Sequence, residues 1–520
     1  MQQPGAPATA ELTEPEESPT GRLARATSSA AGRRRLARWR PRDKVSSWYW
    51  AGIVALLAGA IRMIDLANPP QKIFDEVYYA KDSHDVIHHG YELNATENGP
   101  GLVAHPPLGK WCIGLGEWLF GYNSLGWRFS AALFGTASVL LMCRLGRRMF
   151  RSTPLGCLAG ALLALDGLHF VSSRVALLDI FLMFFCLASF ACLVLDREQR
   201  RGQLYDALVA AGDDTLENAC RPRGLRYWPW WRIASAALLG CGLAVKWSAI
   251  WFLPLFLLFI VIWEMQARRT AGIRRFVSDT IAWETIWLAA FIVLTVATFL
   301  ASYTGWFATD GGFDRHWAEQ NNATVWYLPD AIVSLWHYQY GIYEFHAHLT
   351  APHAYQSSPL SWLIMKRPVL YYYETDGSCN SANCSSTILA LGNPALWWTF
   401  LVAAAVCLWR SVANRDWRAL SILLCAAASI LPWMMYPDRT MYFFYALPSL
   451  PFFVLAVTLG LGLILGPAKA SAKRRLTGAL IVGAYVVIVA VAFAYFYPIL
   501  SGQVISYDDW KSHMWFSSWT

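Results

Sequence analysis

The sequence predicts an all-α polytopic membrane protein. Three observations carry that reading. Of the 520 residues, 56% are hydrophobic, too many for an ordinary soluble chain. Apolar runs of roughly 17–25 residues, the length a bilayer core requires, recur from about residue 48 to the C-terminal region. The basic residues lie in short clusters between those runs, as topology signals do.

The first 47 residues are rich in Ala, Pro, Glu, Ser and Arg and read as a disordered tail. The tail is acidic first and then basic, with Arg33, Arg34, Arg35, Arg38, Arg40, Arg42 and Lys44 suited to the anionic inner leaflet. The first apolar run is long enough to stay as an anchor, so no cleavable signal peptide is expected. About eleven spans follow: 48–68, 126–144, 154–171, 174–195, 231–246, 248–266, 281–303, 394–410, 418–436, 441–466 and 476–498. Together they make a transmembrane domain over 48–498, with 499–520 as a C-terminal tail.

Alternating the connections gives a check on the spans. With the N-terminus inside, the inner segments hold Arg144/Arg147/Arg148/Arg151, Arg197/Arg200/Arg201 with Arg221/Arg223/Arg226, Arg268/Arg269/Arg274/Arg275, Arg410/Arg415/Arg418 and Lys469/Lys473/Arg474/Arg475. With the tail, about 31 of the 43 Lys and Arg then lie inside, the positive-inside pattern in every loop. An odd number of spans puts the C-terminus outside. Two long outer loops result, about 69–125 and 304–393, rich in Trp, Tyr, His, Gly and Pro. The charge of +8 is thereby spent on topology, which excludes nucleic acid as a partner. A channel seldom needs two such loops, whereas an enzyme working at the outer face does. A transporter would show polar residues through the middle of several spans and broken helices in symmetric halves; here the spans are clean at their centres.

Asp75 and Glu76, in F-D-E-V-Y-Y, sit just past the first span. Carboxylates at a membrane edge are costly and point to function. The plain alternative is an acidic pair favoured by a helix N-terminus. The functional reading is a general base with an orienting partner: a hydroxyl attacking a sugar C1 must lose its proton, and a carboxylate within hydrogen-bond reach can take it. Four cations, Arg128, Arg174, Lys246 and Arg439, fall at outer ends of spans, against the topology rule. Any one of them is accounted for by snorkelling or a local ion pair. Four on the leaflet of Asp75 suit a phosphate leaving group, which needs compensating positive charge. Asp166 and Asp179 flank Arg174. Asp179 is fit either for an ion pair with Arg174 or another cation, or for a divalent metal. His105, His337, His346, His348 and His353 are scattered through the outer loops without the spacing of a zinc site. Cys379 and Cys384, five apart in a polar outer loop, are fit for a local disulfide. No P-loop or dinucleotide fingerprint is present, so no nucleotide cofactor is expected.

The motifs I-F-D-E-V-Y-Y-A (73–80), H-P-P-L-G-K (105–110), R-F-S-A-A-L-F-G (128–135), S-R-V-A-L-L-D (173–179), G-L-A-V-K-W-S (242–248), S-S-P-L-S-W (357–362), G-N-P-A-L-W-W (392–398) and R-T-M-Y-F-F-Y-A-L-P (439–448) occur in one order. In that order they resemble the protein O-mannosyltransferases, in the form typical of actinobacteria. The resemblance covers nearly everything after residue 45. It implies a GT-C glycosyltransferase fold with about eleven transmembrane helices and two large outer loops. It also implies transfer of mannose, with inversion, from polyprenyl-phosphate mannose to Ser or Thr hydroxyls of proteins emerging from the Sec translocon at the plasma membrane. On this reading Asp75 is the base and Glu76 orients it or the peptide. Arg128 and Arg439, with Arg174 and Lys246, hold the lipid phosphate, while His105, Asp166 and Asp179 support the site. The chain departs from the family in two places. Its second outer loop is too short for the β-trefoil domains of eukaryotic members, and Tyr445 stands where many members have His. The competing readings are a GT-C enzyme acting on a lipid or polysaccharide, a transporter or channel, and a non-enzymatic scaffold or receptor.

Overall fold

The computed structural model describes residues 35–37, 39, 41–93, 104–210, 228–375, 377–467 and 469–520. Most of the expected N-terminal tail, residues 1–34, and the inner-loop arginines Arg221, Arg223 and Arg226 lie outside the described residues. The chain divides into two compact units. Of the described residues, one takes those within 35–39, 197–210, 228 and 261–285, and the other takes those within 41–196, 229–260 and 286–520. In the smaller unit Leu36, Leu204, Leu208, Ala267, Ala271 and Ile273 form a buried cluster. Buried ion pairs join Arg200 to Glu264 and Arg268 to Glu284, both at 3.0 Å.

Helices lie within the expected runs. They are α1 (Ser46–Met63), α4 (Ser124–Phe150), α5 (Thr153–Ala164), α7 (Asp179–Ala210), α8 (Trp230–Val245), α9 (Phe252–Thr270), α10 (Phe276–Ala301), α12 (Pro394–Ala413), α13 (Trp417–Ala428), α14 (Leu450–Leu465) and α15 (Ala472–Ser501). Among the described residues, eight helices are long and apolar enough to cross a membrane; α5 and α8 are shorter apolar helices. Side-chain caps set several starts. Asn123 accepts from Gly126 N at α4, Ser152 from Leu155 N at α5, Asn393 from Ala395 N at α12, and Ser471 from Arg474 N at α15.

Two boundaries differ from the sequence reading. The run 154–171 is broken after Ala164: Asp166 leaves the helix and caps a short helix, α6 (Gly167–Ser172). The span expected to open at Arg174 begins at Asp179 and continues to Ala210. Both breaks fall at the same end of the bundle, where polar side chains rather than helical neighbours satisfy the backbone.

The long connections are folded. The first carries α2 (Glu76–His89) and α3 (Leu108–Phe120), and the second carries α11 (Asp330–Ala347). The second also contains a small sheet that the all-helical expectation missed. Strand β1 (Val369–Glu374) pairs antiparallel with β2 (Cys384–Ala390), which pairs antiparallel with β3 (Val504–Ser506). The run V-L-Y-Y-Y, aromatic and β-branched, suits a strand. Cys379 and Cys384 form a disulfide that closes the β1–β2 turn. The expected C-terminal tail is part of this layer: Trp519 is buried, and Arg367 donates to the carbonyls of Ser518 and Thr520. Both connections meet at one end of the helices, where His346 on α11 reaches the carbonyl of Ala104 at 2.6 Å.

Candidate active site

The acidic pair is divided between two tasks. Phe74 adopts a left-handed backbone, φ +48°, uncommon for a bulky residue and characteristic of functional sites. Its ring stacks on Tyr371 at 4.7 Å and meets Phe444 edge-on at 5.9 Å. The turn this makes sends the next two carboxylates into different surroundings. Glu76, the first residue of α2, is fully buried. Its Oε1 accepts from Arg128 Nε at 2.8 Å and from Ala176 N at 3.0 Å, and its Oε2 accepts from Arg128 Nη2 at 2.7 Å and from Ile73 N at 3.0 Å. Arg128 spends its remaining N–H groups on the carbonyls of Leu66, Pro69 and Gln71. This bidentate pair ties the first turn of α4 to the 66–76 loop and to the segment after Arg174.

Asp75 is half-buried, and among the described residues its carboxylate has no hydrogen-bond partner. Burial pushes its pKa up, with Lys246 opposing and Asp179 adding, to about 6. A carboxylate left unpaired with raised basicity is what a proton acceptor needs near neutral pH. Tyr79, one turn on, and Tyr371 flank it, and burial raises both phenols well above their ordinary value. Both remain neutral, and the Tyr371 hydroxyl is buried without a hydrogen-bond partner among the described residues.

A cleft with an empty volume of about 880 Å³ is lined by Asp179, Lys246, His105, His346, Arg439 and Tyr445, among others; Asp75 is not in that lining but is close enough to Lys246 and Asp179 to feel both charges. Local backbone breaks deliver the cations. Helix α8 stops at Val245, so Lys246 is extended before the 3-10 turn Trp247–Trp251. Arg439 sits in irregular chain between the 3-10 turns Leu431–Met435 and Phe443–Ser449. Lys246 Nζ bonds Asp179 Oδ2 at 2.8 Å and lies over the Tyr445 ring at 5.6 Å. The guanidinium of Arg439 lies over Trp433 at 5.0 Å and Tyr445 at 5.5 Å, held by the carbonyl of His346 at 3.1 Å.

The histidines of the cleft are neutral. His346 donates from Nε2 to the carbonyl of Ala104, which leaves Nδ1 to accept from Arg439 Nη2 at 3.1 Å. Burial pushes its pKa down to about 4, and Arg439 and Lys246 add to the effect. His105 stacks on it at 4.9 Å, and burial, followed by Lys246, holds its pKa well below the ordinary value. The fixed positive charge of the cleft is therefore that of Lys246 and Arg439.

The structure thus brings together Asp75, Asp179, Lys246, Arg439 and His105, and sets four other expected residues apart. Arg128, expected on the lipid phosphate, is committed to Glu76. Arg174, expected there too, donates to the carbonyls of Arg62, Ile64 and Asp65 and so closes the end of α1; neither arginine lines the cleft. Glu76, expected to orient Asp75 or the peptide, fixes the loop on which Asp75 stands. Asp166 does not face Arg174; it accepts from His169 N, Asn393 N and Trp397 Nε1. Asp179 pairs with Lys246 rather than Arg174. Among the described residues no group of three or more His, Cys, Asp or Glu side chains is arranged to hold a metal ion.

Lys110 and the pairing of His105 with His346 were not among the residues expected at the site. Lys110 is fully buried and bonds Glu92 at 2.7 Å and the carbonyl of His105 at 2.9 Å, fixing the loop that presents His105. A lysine inside the H-P-P-L-G-K motif was the available signal. Nothing local ties His105 to His346.

Residues 52–309 match the family model described as dolichyl-phosphate-mannose-protein mannosyltransferase, and residues 331–519 match that of the C-terminal four-transmembrane region of protein O-mannosyltransferase. A polyprenol-phosphate-mannose–protein mannosyltransferase of Mycolicibacterium smegmatis (strain MKD8) is 39% identical over 92% of this chain and 94% of its own length. The chain belongs to this family. A relative with the same name in Mycobacterium tuberculosis (strain CDC 1551 / Oshkosh) is 38% identical over 93% of this chain and 94% of its own. The protein O-mannosyltransferase Pmt1-Pmt2 complex of S. cerevisiae, solved bound to the sugar donor, contains a chain that superposes with a TM-score of 0.68 at 14% identity. That superposition covers 95% of this chain and 94% of the other. At that identity the likeness shows the fold, which is GT-C.

Proposed function

We propose that this mannosyltransferase-family chain moves mannose from polyprenyl-phosphate mannose to Ser or Thr hydroxyls of proteins, with inversion at the anomeric carbon. The observation that carries the chemistry is an unpaired, half-buried Asp75 with a pKa raised to about 6 beside a cleft whose fixed charge is positive. Asp75 takes the proton of the acceptor hydroxyl as its oxygen attacks C1. The bond from C1 to the phosphate oxygen breaks, and polyprenyl phosphate leaves with the electron pair. Lys246 and Arg439 compensate the charge that develops on the leaving phosphate. Asp179 holds Lys246, while Glu76 and Arg128 hold the loop, so both act on position rather than on the reacting atoms. His346 holds Arg439, and His105 stacks on His346 as a second neutral imidazole face.

The membrane is the plasma membrane, with the N-terminus inside and the cleft and C-terminus outside, where acceptors leave the Sec translocon; the basic clusters support this orientation. The test is transfer from labelled polyprenyl-phosphate mannose to a Ser/Thr-rich peptide by membranes containing the chain. Label on the peptide supports the reading. Label only on lipid or polysaccharide discards the protein acceptor, and no transfer discards the donor as well.

A further inference from the structure

At the other end of α4, α12 and α14 lies a second cavity, about 920 Å³ of empty volume, lined by Arg151, Arg410, Arg418 and Arg475 together with Leu459 and Leu463, among others. Each arginine is brought there by a helix end. Arg151 caps the C-terminus of α4 with φ +53°, a conformation for which glycine is the ordinary choice. Arg410 is in the last turn of α12, Arg418 in the first turn of α13, and Arg475 in the first turn of α15. Among the described residues, the only carboxylate ion-paired with these four is Asp416, which takes Arg410 at 3.2 Å and Arg418 at 2.7 Å. Arg410 Nε is buried with no hydrogen-bond partner among the described residues, while Arg151 and Arg475 stand exposed at the mouth. Four guanidinium groups around one carboxylate leave an excess of positive charge and free donors.

We infer that this cavity binds the phosphate of an anionic phospholipid. Guanidinium forks match phosphate oxygens. Leu459 is buried in the wall and Leu463 is exposed beside the arginines, which gives acyl chains an apolar side to follow. Basic pockets between membrane helices on the cytoplasmic side bind anionic head groups, and the distribution of Lys and Arg puts this end inside. The site is separate from the donor cleft, which lies at the opposite end of the same helices, so it does not depend on the catalytic assignment.

The test is native mass spectrometry of the full chain released from nanodiscs containing equal parts phosphatidylcholine and phosphatidylglycerol. The wild type is expected to retain phosphatidylglycerol preferentially. In the Arg410→Gln/Arg475→Gln variant that preference falls about tenfold or more, while mannosyl transfer is unchanged. Equal retention by variant and wild type overturns the inference. If inorganic phosphate raises the melting temperature as much as the lipid does, the site takes a free anion and the lipid assignment is overturned. Should the Gln pair fail to melt cooperatively, the Arg410→Lys/Arg475→Lys pair decides. It keeps the charge but loses the fork, so reduced retention supports the site and unchanged retention overturns it.

Discussion

Replacing Arg128 by Met separates two roles that the arginine could have at this position. The structure makes Arg128 a brace. Its side chain is 1% exposed and that of Glu76 is 0% exposed, and two charge-assisted hydrogen bonds of 2.7 and 2.8 Å join them. Removing one member of such a pair leaves a buried charge uncompensated, at a cost of about 3–5 kcal/mol. It also strips the carbonyls of Leu66, Pro69 and Gln71 of their donor. If that cost appears as displacement of the 66–76 loop, Asp75 leaves its place. Because a factor of ten corresponds to about 1.4 kcal/mol, kcat then falls by roughly 10²-fold or more. The KM for the lipid-linked donor should change little, because Arg128 does not line the cleft. The assay is steady-state transfer from labelled donor to peptide for Arg128→Met, Glu76→Gln and the double variant. Glu76 and Arg128 act as one unit, so the double variant should be no worse than the poorer single one. A raised donor KM in Arg128→Met, with losses that add in the double variant, would refute the bracing role and return Arg128 to the phosphate.

The raised pKa of Asp75 gives two further expectations. As the base, Asp75 must be ionised, so kcat/KM should fall about tenfold per pH unit below about pH 6; a profile flat to pH 5 would be inconsistent with it. For stability the sign is opposite: burial lifts the folded-state pKa from 3.8 to about 6, so the stabilisation linked to the neutral form is full below about pH 3.8 and lost as pH rises through about 6. Asp75→Asn should therefore melt at a higher temperature than the wild type at pH 7.5, and the difference should close on acidification. Lys246→Met removes a cleft cation and leaves Asp179 buried without its partner, so transfer should drop at least about 10²-fold with a raised donor KM; a variant with wild-type KM would place the phosphate elsewhere.

The helical spans were legible because bilayer length and positive-inside charge are strong, local signals. Among the described residues a helix lies in each expected run, and eight helices are long and apolar enough to cross a bilayer. The breaks at Asp166 and before Asp179 were hidden, since a polar residue that caps a new helix looks the same as one at a membrane edge. Asp75 and Glu76 stood out as a pair, but their division of labour did not. That division depends on the left-handed turn at Phe74 and on Arg128, far along the chain. The surroundings of the cations were hidden for the same reason. Arg128 and Arg174 have the residue type and depth of phosphate ligands, yet carbonyls and Glu76 use their donors. Lys246 and Arg439 reach the cleft because the helices around them stop. The β1–β2 hairpin was missed because its short aromatic run sits in a loop read only for polarity. The pairing of His105 with His346 joins two separate loops and leaves no trace in either.

Removal of the acceptor proton falls to Asp75. The most direct measurement is single-turnover transfer of labelled mannose to a Ser/Thr peptide by Asp75→Asn beside the wild type, with donor binding measured on the same membranes. Asparagine keeps the shape and the folded loop but cannot accept the proton. Donor binding should be retained and transfer lost by about 10²-fold or more. Transfer at the wild-type rate in a variant that binds donor normally would contradict that role of Asp75.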